Sequence, residues 1–335
     1  MKILFAAGGS IGHIAPCVAV WRAVQTINPH AETFFVCSLR QEDAEFLRKE
    51  HISFVPLAGR SITLLNILPM AVSAWKILGR EKPDVIFTKG GGVTIPLALA
   101  GWMRRIPIVA HESDSIPGRA TAFISRFAAT SLNGFRTGNP LRPGIASGSR
   151  ERGLALTGFS GDRPILLVMG GSQGAVALNE AVMKNIDALL KIVDIIHLTG
   201  EGKGGVQQAR TGYWSRPFVH EELPHLYAAA DIAVSRAGAG GIGELAANGI
   251  ASILVPLEGV AHDHQTANAS ILRDAGACVL LRQHLLATDL VTTVAALAAS
   301  PERRRQIAQT MQHFANPEAA AAIAKIVIGT AGSHS

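Results

Sequence analysis

The residues best suited to chemistry sit in glycine-rich turns, each entered from an apolar run and left at helical spacing. In "ILFAAGGSIGHIAP", His13 follows Gly8, Gly9, Ser10, Ile11 and Gly12. A strand, a glycine turn and a helix N-terminus together form an anion site, because backbone N–H groups and the positive dipole end face outward. The same position disfavours an imidazolium, so His13 would stay neutral and able to accept a proton. Plainer readings stand beside these: the glycines permit close strand–helix packing, and the histidine caps backbone groups. "SRAGAGGIGELAANG" puts Glu244 near the start of a helix, where a carboxylate could accept hydrogen bonds from two vicinal hydroxyls or merely complement the dipole.

Three familiar chemistries fail on spacing. A dinucleotide fingerprint needs a glycine where Ser10 and Ser172 stand, and the second strand ends in Cys37 and Ser38 with no acid for a ribose. Neither turn continues into the Gly-Lys-Ser/Thr of a P-loop. His262 and His264 lie two apart, so they share no helix face, and no further ligand cluster accompanies them; a structural zinc is rejected.

The turns must be held by alternating strands and helices. "ILFAA", "TFFVCS", "SFVPL", "PDVIFTK" and "PIVAHES" predict the strands of a parallel sheet covered on both faces. "NGFRTGNPLRPGIASGSRERG" reads as a linker. Beyond it, "ILLVMGGSQG" repeats "ILFAAGGSIG" almost move for move, followed by "IIHLTG", "DIAVSR" and "SILVP". The expectation is an α/β chain of two similar domains facing a cleft, with ligands beyond the carboxyl ends of the strands. The closing "TAGSHS" is expected to be disordered.

At 335 residues the chain is long enough for two cores. Its three cysteines, Cys17, Cys37 and Cys278, show neither a disulfide framework nor zinc spacing, which suits a reducing cytosol. The immediate entry into a strand predicts no signal peptide, and no apolar run is long enough to span a bilayer. A net charge of +6 suits an anionic partner. Without a basic run interleaved with aromatics, nucleic acid is set aside in favour of a phosphorylated substrate or an anionic membrane surface.

From about Met1 to Lys325 the chain resembles the MurG family, on "GGSIGH", "KGGGVTIP", "HESDSIPG", "GNPLR", "GGSQGAVALN", "SRAGAGGIGELAANG" and "HDHQTANA", in family order and near-family spacing. The resemblance implies two Rossmann-like domains, the GT-B glycosyltransferase fold. Its boundaries would be an acceptor-side domain over 1–145 and a UDP-sugar domain over 146–315, with a helix at about 316–328 packing back on the first. It implies an inverting transfer of N-acetylglucosamine from UDP-GlcNAc to the 4-hydroxyl of an undecaprenyl-pyrophosphoryl-muramyl-peptide, lipid I to lipid II, at the cytoplasmic face of the cell membrane. Wall synthesis, cell shape and cell division would be its setting.

The implied site follows the matched motifs. His13 would be the general base, with Glu112 and Asp114 as rivals. Arg142, Ser172, Gln173, Phe218, Val219, Glu244, His264 and Gln265 would hold the donor. Gly8, Gly9, Ser10, Ile11, Gly12, Gly90, Gly91 and Asp114 would face the acceptor diphosphate. No metal would be obligatory, any divalent cation assisting the diphosphate only. Ile11, Gly92, Asp114 and His264 depart from the usual family residues, at positions near the expected acceptor or sugar contacts. Leu64, Leu65, Ile67, Leu68, Met70 and Trp75, with Arg60, Lys76 and Arg80 nearby, would contact an anionic leaflet; the competing reading is an ordinary buried helix. Two rival functions remain, a UDP-GlcNAc epimerase of the same fold and a non-catalytic sugar-nucleotide-binding subunit. Joint retention of His13, Glu244 and Gln265 argues against the second.

Overall fold

Uninterrupted apolar runs become central parallel strands because both faces of such a sheet are covered, and both sheets here obey that rule. The computed structural model describes residues 1–9, 11–57, 67–171, 174–203, 210–259 and 263–333, Ile11 and Arg136 by their backbone only. The chain divides into one unit of Met1–Arg142 with Pro317–Ser335 and another of Pro143–Asn316.

The first unit runs β1 (Lys2–Ala6), α1 (Ile11–Ile27), β2 (Glu32–Cys37), α2 (Gln41–Lys49), β3 (Phe54–Pro56), α3 (Ile67–Glu81), β4 (Val85–Thr88), α4 (Thr94–Met103), β5 (Ile108–Glu112), α5 (Arg119–Ile124), β6 (Thr130–Asn133) and α6 (Gly134–Thr137). Its six parallel strands lie in the order β3-β2-β1-β4-β5-β6. The order reverses between β1 and β4, and at such a switch point the loops part to leave a crevice. The turns holding Gly8–Gly12 and Gly90–Gly91 leave the carboxyl ends of those two strands. One sheet face buries Ile3, Phe5 and Phe35 beneath Ile14 and Val18 of α1, with Phe5 and Phe35 stacked at 4.9 Å. The other packs Leu4, Ile86 and Ile108 against Met70, Leu78 and Leu97 of α3 and α4.

The second unit runs α7 (Arg150–Thr157), β7 (Ile165–Met169), α8 (Val176–Lys184), α9 (Ile186–Leu189), β8 (Asp194–Leu198), β9 (Tyr213–Arg216), α10 (Leu223–Ala229), β10 (Ile232–Ser235), α11 (Ala239–Asn248), β11 (Ala251–Leu254), α12 (His264–Asp274), β12 (Val279–Leu280), α13 (Leu286–Ala298) and α14 (Pro301–Gln312). Its order, β12-β11-β10-β7-β8-β9, repeats the first sheet strand for strand, with the reversal between β7 and β10. The glycine turns at Gly170–Gly174 and Gly238–Gly241 leave those two strands.

After α14 the chain returns to the first unit as α15 (Ala319–Gly332), where Ile323, Ala324, Val327 and Ala331 complete the core around Ile3 and Phe5. The helix overturns the expectation of disorder at "TAGSHS": Thr330–Gly332 are helical and Ala331 is buried. The linker-like segment also contains structure, since Asn133 caps α6 and Ser149 caps α7 through side-chain hydrogen bonds. β6, β9 and β12 are strands that the apolar pattern missed. All three are sheet edges, two to four residues long and only partly buried.

Candidate active site

The glycines divide by what surrounds them. A Cβ on Gly8 would meet the Ser38 nitrogen at 2.7 Å, and one on Gly91 the Gly8 carbonyl at 2.8 Å. Gly90 would strike Thr121, Gly170 the Ala175 backbone and Gly174 the Thr199 carbonyl. The packing reading therefore holds at these five. Gly9, Gly171, Gly238 and Gly240 instead face open space. At Gly9 and Gly171 a positive φ favours glycine, whereas at Gly238 and Gly240 neither packing nor φ demands it.

In the first unit the buried Asp43 of α2 organises the first turn. Its Oδ2 accepts from the Gly9 N–H at 2.8 Å and from the Ser38 hydroxyl, while Arg40 donates to the Gly9 carbonyl. The Gly9 amide is thus already engaged by Asp43. Ile11 and Gly12 are the first two residues of α1, where backbone N–H groups lack helical acceptors. Ser10 lies outside the described residues.

His13, the third residue of α1, sits half-buried with its Cδ2 3.9 Å from a Cβ placed on Gly91, so the turns after β1 and β4 meet at its ring. Burial first, and the Lys89 ammonium second, hold its imidazole below the usual value, against the Lys89 backbone, Glu112 and Asp114. Among the rival bases, Glu112 is occupied as a loop brace. Its Oε1 accepts from the N–H groups of Ser113 at 2.8 Å and Asp114 at 3.2 Å, and its Oε2 from Gly118 at 2.9 Å. Asp114 continues that loop, its carbonyl accepting from Asn133 Nδ2 at 3.3 Å. Lys89, unassigned by sequence, is buried at the exit of β4 with its ammonium donating to Ser113 Oγ. Arg142, half-buried, closes the first unit.

In the second unit Ser172 and Gln173 lie outside the described residues. Glu244 is the sixth residue of α11, beyond the first turn, so the dipole explanation does not apply to it. Its Oε2 accepts from the buried Tyr227 hydroxyl at 2.7 Å, which fixes the carboxylate. Phe218, 50% exposed, and Val219, buried, follow the end of β9. His264 and Gln265 begin α12, and Gln265 Oε1 accepts from the Leu257 N–H at 3.0 Å. Arg236, also unassigned by sequence, donates to the carbonyls of Val255 at 3.2 Å and Pro256 at 3.4 Å and to Gln283 Oε1 at 2.6 Å, bracing that same loop.

A buried polar chain fixes the turn after β8. Asn179 Nδ2 donates to the carbonyls of Thr199 at 2.9 Å and Lys203 at 3.2 Å. Its Oδ1 therefore faces the His197 Nε2–H at 3.0 Å, leaving His197 Nδ1 to accept from Tyr213 at 2.9 Å. Burial pushes the His197 imidazole down to about 4.

The apolar cluster on α3 splits in two. Met70 is fully buried, against its place in a membrane face, and Ala74, Ile77 and Leu78 join it. Leu68 is 70% exposed, and Ile67, Val72 and Trp75 lie on the exposed side with it. The Arg104 guanidinium stacks 4.0 Å over Trp75. Trp102 and Met103 at the end of α4, which the sequence reading passed over, are also exposed. Arg60, Leu64, Leu65 and His262 lie outside the described residues. Among the described residues no helix is long and apolar enough to cross a membrane, and no group of three His, Cys, Asp or Glu could hold a metal ion. The three cysteines are buried and free.

Residues 3–132 match the glycosyltransferase family 28 N-terminal domain, and 165–333 match the glycosyltransferase family 28 C-terminal domain. A protein of Clostridium botulinum named UDP-N-acetylglucosamine--N-acetylmuramyl-(pentapeptide) pyrophosphoryl-undecaprenol N-acetylglucosamine transferase is 34% identical, over 85% of this chain and 87% of its own. A Bacillus cereus protein of the same name, numbered 2, is 34% identical over 90% of this chain and 92% of its own. The crystal structure of Acinetobacter baumannii MurG, at 24% identity, covers 98% of this chain and 99% of its own with a TM-score of 0.80, which shows the GT-B fold.

Proposed function

This chain belongs to the MurG family of family 28 glycosyltransferases, and from that premise we propose the reaction it performs. It transfers N-acetylglucosamine from UDP-N-acetylglucosamine to the 4-hydroxyl of an undecaprenyl-pyrophosphoryl-muramyl-peptide, making lipid II from lipid I in peptidoglycan synthesis. The observation that carries this is the 34% identity, over 85% of the chain, to a curated relative named as that transferase rather than as an epimerase.

His13 is the base. The acceptor O4 attacks the anomeric carbon as its proton passes to the imidazole; the bond to the UDP oxygen breaks and the configuration inverts. Supporting this are the depressed imidazole and the occupied oxygens of Glu112. Glu244, fixed by Tyr227, accepts hydrogen bonds from the donor ribose hydroxyls, and the open side of Gly238 and Gly240 leaves room for its phosphates. Ser172, Gln173 and the Arg142 cation serve the diphosphate and stabilise the leaving UDP. Phe218 and Val219 seat uracil. Gln265 meets the sugar through its amide nitrogen, with His264 beside it. The acceptor diphosphate lies on the N–H groups opening α1, with Gly90, Gly91 and Asp114 beside it. No metal is required, a divalent cation assisting the diphosphate only.

The exposed residues of α3 and α4, with Lys76, Arg80, Arg104 and Arg105 nearby, dock the protein on anionic lipid at the cytoplasmic face, where its acceptor is anchored. Cell shape and division are the processes this product serves. Radiolabelled UDP-GlcNAc with a muramyl-pyrophosphoryl-lipid acceptor tests the reaction: label in the lipid product supports it, and label only in an epimerised nucleotide sugar overturns it.

A further inference from the structure

A lysine without solvent around it needs a reason, and Lys89 is 3% exposed. It follows β4 at the switch point, its backbone in the turn that touches His13 through Gly91, and its ammonium donates to Ser113 Oγ in the loop after β5. Ser113 is itself held by Glu112, which accepts its N–H. Three segments thus converge: α1 brings His13, the turn after β4 brings Lys89, and the loop after β5 brings Glu112, Ser113 and Asp114. We propose that Lys89 is a positioning residue for the base, its ammonium seated on Ser113 to keep the His13 ring uncharged until the acceptor hydroxyl arrives.

The charges around the pair support that balance. A cation beside an imidazole penalises a second positive charge, and low-dielectric surroundings strengthen the penalty. Lys89 acts in this direction on both His13 and His111. Burial works against the Lys89 charge, while Glu112 and Asp114 favour it. The two carboxylates also pull His13 upward, but burial and Lys89 outweigh them. Without the ammonium, burial alone would oppose Glu112, Asp114 and the Lys89 backbone, and more of the ring would be imidazolium, which cannot take the proton of the attacking hydroxyl. The catalytic consequence rests on His13 being the base; the effect on its ring does not.

Lys89→Met and Lys89→Gln remove the charge at similar volume, and Lys89→Arg keeps a charge. The His13 ring is titrated by NMR in the full chain, assigned by its absence in His13→Ala, and the rate of sugar transfer is followed against pH. Both neutral variants should raise the pH at which His13 titrates, and Lys89→Arg should return it toward wild type. The rate at pH 6 relative to pH 8 should fall roughly three- to tenfold in the neutral variants. A His13 titration unmoved in a folded neutral variant overturns the proposal. Loss of folding in both neutral variants overturns it too, because Lys89 would then be holding the loops rather than the charge. If His13→Ala keeps a normal rate while Lys89→Met still moves the ring titration, His13 is not the base and the Lys89 assignment stands.

Discussion

At the scale of single residues, the candidates are separated by which of their polar atoms are already engaged. His13 and Glu112 are both base-type residues by sequence, but Glu112 already accepts three backbone hydrogen bonds. His13→Ala should therefore keep the fold and UDP binding while lowering kcat by about 10²–10⁴; steady-state kinetics with both substrates varied would expose a near-normal kcat and return the role to Asp114. Glu244→Ala should weaken UDP binding by about 1–3 kcal/mol through the loss of charge-assisted hydrogen bonds. Tyr227→Phe should give a smaller loss, since it frees the carboxylate that Tyr227 fixes; calorimetry on both reads the order, and equal affinity throughout removes Glu244 from the donor site. Motif spacing made His13, Glu244 and Gln265 legible as candidates. Lys89, Asp43 and Arg236 were not, because a residue that acts through its neighbours carries no spacing signature and declares itself only through its partners.

At the scale of elements, burial decides what a pattern meant. The strands at the centre of each sheet were legible because both their faces are apolar. β6, β9 and β12 escaped because an edge strand of two to four residues pairs along one side only and holds polar residues without penalty. The α3 stretch has one face buried, as an ordinary core helix would, and the other exposed, and substitution tests what the exposed face does. Leu68→Ser with Trp102→Ser should stay folded and cease to co-sediment with anionic vesicles, in a binding that salt weakens. Met70→Ser, in the core, should cost several kcal/mol, about 2–5, in urea denaturation. If the surface double variant still co-sediments, this face is not the membrane contact. The chain bracing the turn after β8 adds a pH test. His197 is buried neutral, so the unfolded chain binds the extra proton between pH 6.5 and about 4, and stability falls as pH falls through that window. The integrated loss is about 3 kcal/mol. His197→Gln should be less stable than wild type at pH 7.5, with the gap narrowing as the pH approaches 4; a constant gap in urea midpoints would contradict this account.

At the scale of the whole molecule, one sheet plan is used twice, but the two units are not alike in how the chain supplies them. The second is a continuous segment, Pro143–Asn316, and should fold when expressed alone. The first is split, because α15 inserts Ile323, Ala324, Val327 and Ala331 among side chains of β1 and α1. Truncation after Asn316 should therefore leave the second unit's melting transition and abolish the first's, as calorimetry would resolve; two intact transitions would show that α15 is dispensable. The split also sets an order on biosynthesis. The strands made first on the ribosome cannot close their core until the residues after Pro317 emerge, so the second unit is complete while the first still waits. During that interval the apolar face that α15 covers stays open, and the nascent first half is the part of this chain that a chaperone would have to guard.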